Sequence, residues 1–136
     1  MKKDMLLITG TVTSSNNESI EIYNKIIDTC KKYSENIYSP LDTMQFKGSN
    51  EERYKRAMAL LQRTKLIVAE MSTPSTGQGM ELQEAVRLNI PIIILAKEGS
   101  QVSGLLLGTN NIKSVIYYDN VEMLQTELGG ELNEIS

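Results

Sequence analysis

Short apolar runs alternate with amphipathic stretches along the chain, so strands and helices are predicted in turn. The apolar runs predict strands at residues 5–9, 36–39, 66–69, 90–96 and 114–118. Apolar side chains at helical spacing, such as Ile20, Tyr23 and Ile27, mark amphipathic helices. The predicted helices cover residues 17–33, 51–63, 80–88, 102–107 and 121–132. Residues 41–50 and 72–79 are polar and predict loops.

The alternation of strands with helices predicts a parallel sheet that is covered on both faces. Five strands in 136 residues indicate a single α/β domain over residues 1–136, a flavodoxin-like (Rossmann-like) doubly wound sheet. Such sheets bind ligands at the carboxyl ends of the strands, near the switch in strand order. The loops at residues 9–15, 70–79 and 97–104 are therefore the expected binding loops. They are rich in Gly, Ser and Thr, which suits a phosphate or a sugar.

The composition removes several classes of chemistry. The chain has no histidine, which excludes a Ser-His-Asp triad, a His-based zinc site and an imidazole acid–base catalyst. The single cysteine, Cys30, excludes an internal disulfide and a thiolate metal cluster. The carboxylates are not clustered at the spacing of metal ligands. We therefore expect no metal and no cofactor.

Charge and hydropathy limit the kinds of partner that we expect for the chain. The net charge is −3, from 14 basic and 17 acidic residues, which argues against a dedicated nucleic-acid binder. The longest apolar run, residues 90–96, is far shorter than a membrane span, and the N-terminus has no signal-peptide pattern. These features predict a cytoplasmic protein without a nucleic-acid or membrane partner.

The most informative motif is the Pro-Ser-x-Gly-x-Gly stretch that follows the predicted strand at residues 66–69. Two glycines let the backbone approach a ligand, and a helix start near Gly79 offers free N–H donors. Glu81 would then lie in the first helical turn, where the helix dipole keeps a carboxylate ionised. An ionised carboxylate facing a cleft suits a glycosyl-transferring nucleophile. The spacing of Ser75 and Gln78 also matches a capping box, a structural alternative.

The same stretch carries a family resemblance. The strings Thr-Lys-Leu-Ile-Val-Ala-Glu-Met at residues 64–71 and Pro-Ser-Thr-Gly-Gln-Gly-Met-Glu-Leu at residues 74–82 resemble the signature of the nucleoside 2-deoxyribosyltransferase superfamily. Within it they are most similar to the 2′-deoxynucleoside 5′-phosphate N-hydrolase branch. The resemblance is dense over residues 61–96. It implies a Rossmann-like domain, a homodimer or higher homo-oligomer in which a neighbouring subunit partly completes the site, and a small-molecule nucleotide substrate.

The resemblance also assigns roles. Glu81 stands at the position of the nucleophile, which attacks C1′ of the sugar to form a glycosyl-enzyme ester. Ser75 stands at the position of a phosphate-contacting serine, and Ser103 matches another such serine, contributed across the dimer. The other expected substrate-binding residues are Gly10, Thr11, Thr13, Gly77 and Gly79.

The chain departs from the family pattern at three points. Ala57 stands where the family has an aspartate that assists the nucleophile, and Leu7 stands where the hydrolases carry a tyrosine. Thr11 and Thr13 replace the serine and arginine of the phosphate loop, and Thr13 loses a charge-assisted donor. The carboxylates that could take the place of the aspartate are Asp42, Glu51 and Glu52.

Three functions remain open from the sequence. The first is an N-glycosidase of (deoxy)nucleoside 5′-monophosphates, which the hydroxyls of Ser75 and Thr11 favour. The second is a deoxyribosyltransferase that exchanges bases. The third is a nucleotide-binding module without turnover, which Leu7 and Ala57 favour.

Two charged features are expected to be structural. Arg53, Lys55 and Arg56 form a small basic patch on the helix over residues 51–63, and such a patch is usually a solvated face. Glu70 ends a predicted buried strand, where a carboxylate is often tied to N–H groups of the following loop.

Overall fold

The computed structural model describes residues 3–12 and 17–135. The strands are β1 (Met5–Thr9), β2 (Ile37–Tyr38), β3 (Thr64–Glu70), β4 (Ile92–Lys97) and β5 (Ile112–Tyr118). The helices are α1 (Asn17–Lys31), α2 (Pro40–Gln45), α3 (Asn50–Gln62), α4 (Thr76–Arg87), α5 (Gly104–Leu107) and α6 (Val121–Ile135). The strands form one parallel sheet in the order β2-β1-β3-β4-β5. This is the flavodoxin-like order, so the predicted fold class is confirmed.

Side chains alternate between the two faces of the sheet and build two separate cores. On one face Leu6 and Ile8 pack in a cluster with apolar residues of α1 and α6. On the other face Leu7 packs in a cluster with Leu61 of α3 and Leu82 of α4. Complete burial of each such side chain is worth about 1.5–3 kcal/mol.

Two predicted loops contain helices. Residues 41–50 were expected to be a loop, but α2 begins at Pro40. Ser39 caps it by accepting a hydrogen bond from Leu41 N, and the Asp42 carboxylate accepts one from Ser39 N in return. Proline at the first helical position and this reciprocal cap stabilise a helix of only six residues.

The helix α4 also begins earlier than expected. It starts at Thr76 rather than near Gly79, and Ser75 is its N-cap, with Ser75 Oγ accepting a hydrogen bond from Gln78 N over 3.3 Å. Gly77 therefore lies in the first helical turn. Glu81 lies in the second turn, so the prediction that places it in the first turn is wrong.

Candidate active site

A cavity of about 710 Å³ lies at the carboxyl end of β1, a strand at the switch in strand order. Its walls are the end of β1 with the loop that follows, β2, α2, α3 and the first two turns of α4. The volume falls in the range of about 300–1,000 Å³ that small-molecule sites have. The fold therefore forms a cavity at the place that the topology predicts for a ligand.

Some of the candidate site residues line this cavity and others do not. Those that line it are Gly10, Thr11, Ser75, Gly77 and Glu81. Two further described candidates, Gly79 and Ser103, are not among its lining residues. Thr13 lies outside the described residues.

Glu81 is the one carboxylate that lines the cavity within residues 3–12 and 17–135. It is half-buried, and burial raises its pKa to about 7. The expectation that the helix dipole keeps it fully ionised is therefore wrong. The dipole acts within the first turn, whereas the second turn leaves desolvation as the dominant effect.

The side-chain amide of Gln78 does not complete the predicted capping box with Ser75. Its side chain is buried, and Nε2 donates to Thr9 Oγ1 over 3.1 Å and to the Glu70 carbonyl over 3.0 Å. Gln78 also lines the cavity, and its Oε1 is buried without a hydrogen-bond partner among the described residues. Thr11 Oγ1 is in the same state. An unpaired buried polar atom costs about 1–3 kcal/mol, so both atoms favour a polar ligand in this cavity.

Glycine is found at Gly10, Gly77 and Gly79 for different physical reasons. A Cβ on Gly10 would lie 1.8 Å from the hydroxyl oxygen of Tyr23, which donates to the Thr11 carbonyl. Packing against Tyr23 therefore requires glycine at position 10, and Gly10 also lines the cavity. A Cβ on Gly77 or Gly79 would meet open space, and neither residue has a positive φ. Glycine inside a helix costs about 0.5–1 kcal/mol relative to alanine, so the fold alone does not account for these two.

The two departures from the family pattern, Leu7 and Ala57, both line the cavity. The three carboxylates considered as substitutes for the missing aspartate do not line it. Asp42 accepts from Ser39 N over 2.9 Å, Glu52 accepts from Ser49 N over 3.0 Å, and Glu51 pairs with Lys55 Nζ at 3.0 Å. Each of these carboxylates stabilises its own helix instead.

The basic patch on α3 was expected to be a solvated face, and Arg53, Lys55 and Arg56 are all exposed. Two of the three also have a place in the site. Arg53 and Arg56 line the cavity. Their spacing of three residues places them on one side of a helix, which is the signal that the sequence contained. Nothing in the sequence indicated that this side of α3 faces the end of β1.

Glu70 has the structural role that was expected of it. Its carboxylate accepts hydrogen bonds from Ser72 N over 2.7 Å, from Ser72 Oγ over 2.9 Å and from the Tyr118 hydroxyl. Ser72 Oγ in turn accepts from Lys97 N over 2.7 Å. The carboxylate therefore ties the end of β3 to the ends of β4 and β5, and this fixes the start of the loop that leads into α4.

Within residues 3–12 and 17–135, no group of three or more His, Cys, Asp or Glu residues is placed to hold a metal ion. None of the helices in the same ranges is long and apolar enough to cross a membrane.

The comparisons with known proteins agree with the geometry. No model of a known protein family matches the chain. A protein of Methanosarcina mazei with the provisional name 2′-deoxynucleoside 5′-phosphate N-hydrolase 1 is 26% identical over 130 residues, covering 90% of this chain and 80% of that protein. Further relatives with N-hydrolase names are 27% to 40% identical over 55 to 119 residues, and the alignments cover 45% to 80% of their lengths.

Solved structures share the fold. A CMP N-glycosidase of Clostridium botulinum superposes with a TM-score of 0.68 at 16% identity, covering 91% of this chain and 97% of that one. A 2-deoxyribosyltransferase of Bacillus psychrosaccharolyticus superposes with a TM-score of 0.67 at 15% identity, covering 89% and 90%. The resemblance seen in the sequence is thus confirmed: the chain is similar in sequence to proteins named 2′-deoxynucleoside 5′-phosphate N-hydrolases, and it shares its fold with a CMP N-glycosidase and a 2-deoxyribosyltransferase.

Proposed function

We propose that the protein hydrolyses the N-glycosidic bond of (deoxy)nucleoside 5′-monophosphates, releasing the free base and the sugar phosphate. The observation that carries the proposal is Glu81, a half-buried carboxylate at the wall of a nucleotide-sized cavity. The N-hydrolase names of the relatives support the same reaction class.

In the proposed mechanism the ionised Glu81 attacks C1′ of the sugar. The bond from C1′ to the base nitrogen breaks, the base departs with a proton taken from water, and a glycosyl ester of Glu81 forms. A water molecule then attacks C1′, the ester bond breaks, and Glu81 is restored as a carboxylate. A carboxylate suits both steps because it stabilises oxocarbenium character and is a good leaving group.

The start of α4 is the proposed phosphate subsite. The Ser75 hydroxyl and the backbone around Gly77 line the cavity, and the N-terminus of a twelve-residue helix attracts an anion. Thr11 lies on the facing loop after β1, and we include Gly10 and Thr13 of that loop in the subsite. Gln78 Oε1, buried without a hydrogen-bond partner among the described residues, is the proposed acceptor for a sugar hydroxyl.

We further propose a cytoplasmic homodimer. Leu105 on α5 is 89% exposed, and Ser103 is exposed directly before that helix. In the proposed dimer a second copy covers Leu105, and Ser103 contributes to the neighbouring cavity, as the family resemblance implies. Light scattering tests this point: we expect the mass of a dimer for the native protein and a lower mass for Leu105→Asp.

The activity is tested by incubating the protein with ribo- and deoxyribonucleoside 5′-monophosphates and measuring the free base by chromatography. Glu81→Gln is the test variant, and Glu84→Gln is its matched control on the same helix, since Glu84 pairs with Arg87 rather than lining the cavity. We expect base release by the native protein and the control. We expect a loss of about a thousandfold or more in Glu81→Gln, the scale seen when a catalytic nucleophile is removed.

The apolar side chains of Leu7 and Ala57 in the cavity favour one alternative, a nucleotide-binding module without turnover. That alternative predicts tight binding of a nucleotide by calorimetry without base release, and equal binding by Glu81→Gln. The transferase alternative predicts base release only after a second base is added as acceptor.

A further inference from the structure

The cationic groups of the cavity are concentrated on one wall. That wall consists of Tyr38 on β2, Phe46 directly after α2, and Arg53 and Arg56 on α3, and we name these four residues the arginine wall. The guanidinium carbon of Arg56 lies 5.2 Å from the ring centre of Tyr38 and 5.1 Å from that of Phe46. The guanidinium carbon of Arg53 lies 5.1 Å from the ring centre of Phe46. Cation–π contacts therefore hold both guanidinium groups against aromatic rings.

The donors of the arginine wall are largely unused. The ion pairs found among residues 3–12 and 17–135 involve Lys55, Arg63, Arg87 and Lys97. Neither Arg53 nor Arg56 is in that set. Arg56 Nε donates to the Tyr38 hydroxyl oxygen over 3.2 Å. A guanidinium carries five N–H donors and no acceptor, so the two arginines leave most of their donors for water or a ligand.

The wall presents guanidinium planes and aromatic rings, and it is separate from the phosphate subsite proposed at the start of α4. Guanidinium planes and aromatic rings are the surfaces on which proteins stack nucleobases. With Arg56 donating to its oxygen, the Tyr38 hydroxyl keeps its own hydrogen available as another donor. Thr43 and Asn50 also line the cavity, but their side chains both donate and accept, so they do not discriminate between bases.

We propose that the arginine wall binds the base of the nucleotide through acceptor atoms on the edge of the ring. The inference rests on the proposed function, in which the phosphate lies at the start of α4. A carbonyl oxygen on the ring accepts hydrogen bonds from a wall of donors, whereas an exocyclic amino group at the same place would direct its own donors at them. The substrate class is therefore nucleotides of 6-oxopurines and 4-oxopyrimidines, in preference to their amino counterparts.

The experiment compares pairs of substrates that differ at a single exocyclic group. Inosine and adenosine 5′-monophosphates form one pair, and uridine and cytidine 5′-monophosphates form the other, with the deoxy forms assayed in parallel. We expect kcat/KM for the oxo member to exceed that of the amino member by about tenfold or more, which corresponds to about 1.4 kcal/mol, because the amino group leaves donors of the wall unpaired.

Variants locate the preference on the arginine wall. Arg56→Gln and Arg53→Gln are expected to lower the oxo-to-amino ratio severalfold. Lys55→Gln removes the same charge from the same helix, but Lys55 pairs with Glu51 and does not line the cavity, so its ratio should equal that of the native protein. Arg56→Lys keeps the charge but loses the planar fork, and its ratio should be as low as that of Arg56→Gln.

Several results would overturn the inference. Equal kcat/KM within both pairs would do so while leaving the proposed hydrolase intact. Ribose 5-phosphate has no base, and if it inhibited the native protein but not Arg56→Gln, with Arg56→Lys restoring inhibition, the wall would bind phosphate instead. If no nucleotide releases base, the proposed function fails, and calorimetry with inosine and adenosine monophosphates then decides the inference by itself. Tighter binding of the inosine nucleotide supports it, and equal binding overturns it.

Discussion

Two carboxylates flank the loop that leads into α4, and their surroundings are opposite. Glu70 is 5% exposed, and its carboxylate accepts hydrogen bonds from Ser72 and Tyr118. Glu81 is half-buried, and its carboxylate accepts no hydrogen bond from any residue that the structure describes. Burial alone therefore does not mark a reactive group. Burial without donors does, because it leaves the carboxylate poorly solvated and raises its pKa.

The contrast assigns Glu70 to stability and supports the role in chemistry that we propose for Glu81. Burial and the neighbouring Glu70 carboxylate raise the pKa of Tyr118, so that its hydroxyl stays protonated and donates. Glu70 is thereby held by its donors. Glu81 has no such partners among the described residues, which suits the attack on C1′ that we propose for it.

The largest expected effect on stability is at Glu70. Glu70→Ala leaves the buried Tyr118 hydroxyl and the Ser72 donors without their acceptor. We expect the free energy of unfolding to fall by about 2–4 kcal/mol, the range for breaking a buried hydrogen-bond network. Urea unfolding measures this change. Glu81→Ala, which breaks no hydrogen bond, should cost far less, and equal losses in the two variants would contradict the contrast.

The second effect is the pH dependence of stability. The pKa of Glu81 is about 7 in the folded state and about 4.5 when unfolded, so between these values the folded state binds more protons. Its contribution to the free energy of unfolding is therefore greatest below pH 4.5 and falls until about pH 7. The full difference amounts to at most about 3 kcal/mol.

Glu81→Gln removes this titration. We expect the variant to be more stable than the native protein above pH 7, by about 1–3 kcal/mol, and the gap to close as the pH falls toward 4.5. Urea unfolding curves at several pH values measure the gap, with Glu84→Gln as the control. A gap that is constant with pH would show that Glu81 does not carry the raised pKa.

The third effect is on the rate. If attack needs the ionised form of Glu81, kcat/KM rises tenfold per pH unit below about pH 7 and levels off above it. The profile is measured with the parent nucleosides as well, because they lack the phosphate group that titrates near pH 6. A flat profile from pH 5 to 8 for the nucleosides would contradict the assignment of Glu81.

Some of the features behind these predictions could be predicted from the sequence, and others could not. The strands were predictable because runs such as Met5–Thr9 are apolar throughout and stop at a glycine. The helix α2 was missed because its signal is a cap rather than a periodicity, namely Ser39 before Pro40 with Asp42 following. The start of α4 was misplaced because Gly77 and Gly79 indicate a loop when no partner is known.

The site was predictable only in its outline. The position of Glu81 in a cavity followed from topology and resemblance, but its raised pKa depends on how far α4 is buried, which no local pattern contains. The same holds for Arg53 and Arg56. Their spacing places both on one exposed side of α3, and whether a cavity borders that side depends on where α3 packs relative to the end of β1.

The smallest expected effect separates the two glycines of α4. Both sit in a helix with open space at Cβ, so Gly77→Ala and Gly79→Ala should each stabilise the fold by about 0.4–1 kcal/mol. Only Gly77 lines the cavity, so the added methyl group should raise KM more in Gly77→Ala than in Gly79→Ala. Equal KM values in the two variants would mean that no ligand approaches the backbone of α4 at Gly77, and the phosphate subsite would then have to lie elsewhere in the cavity.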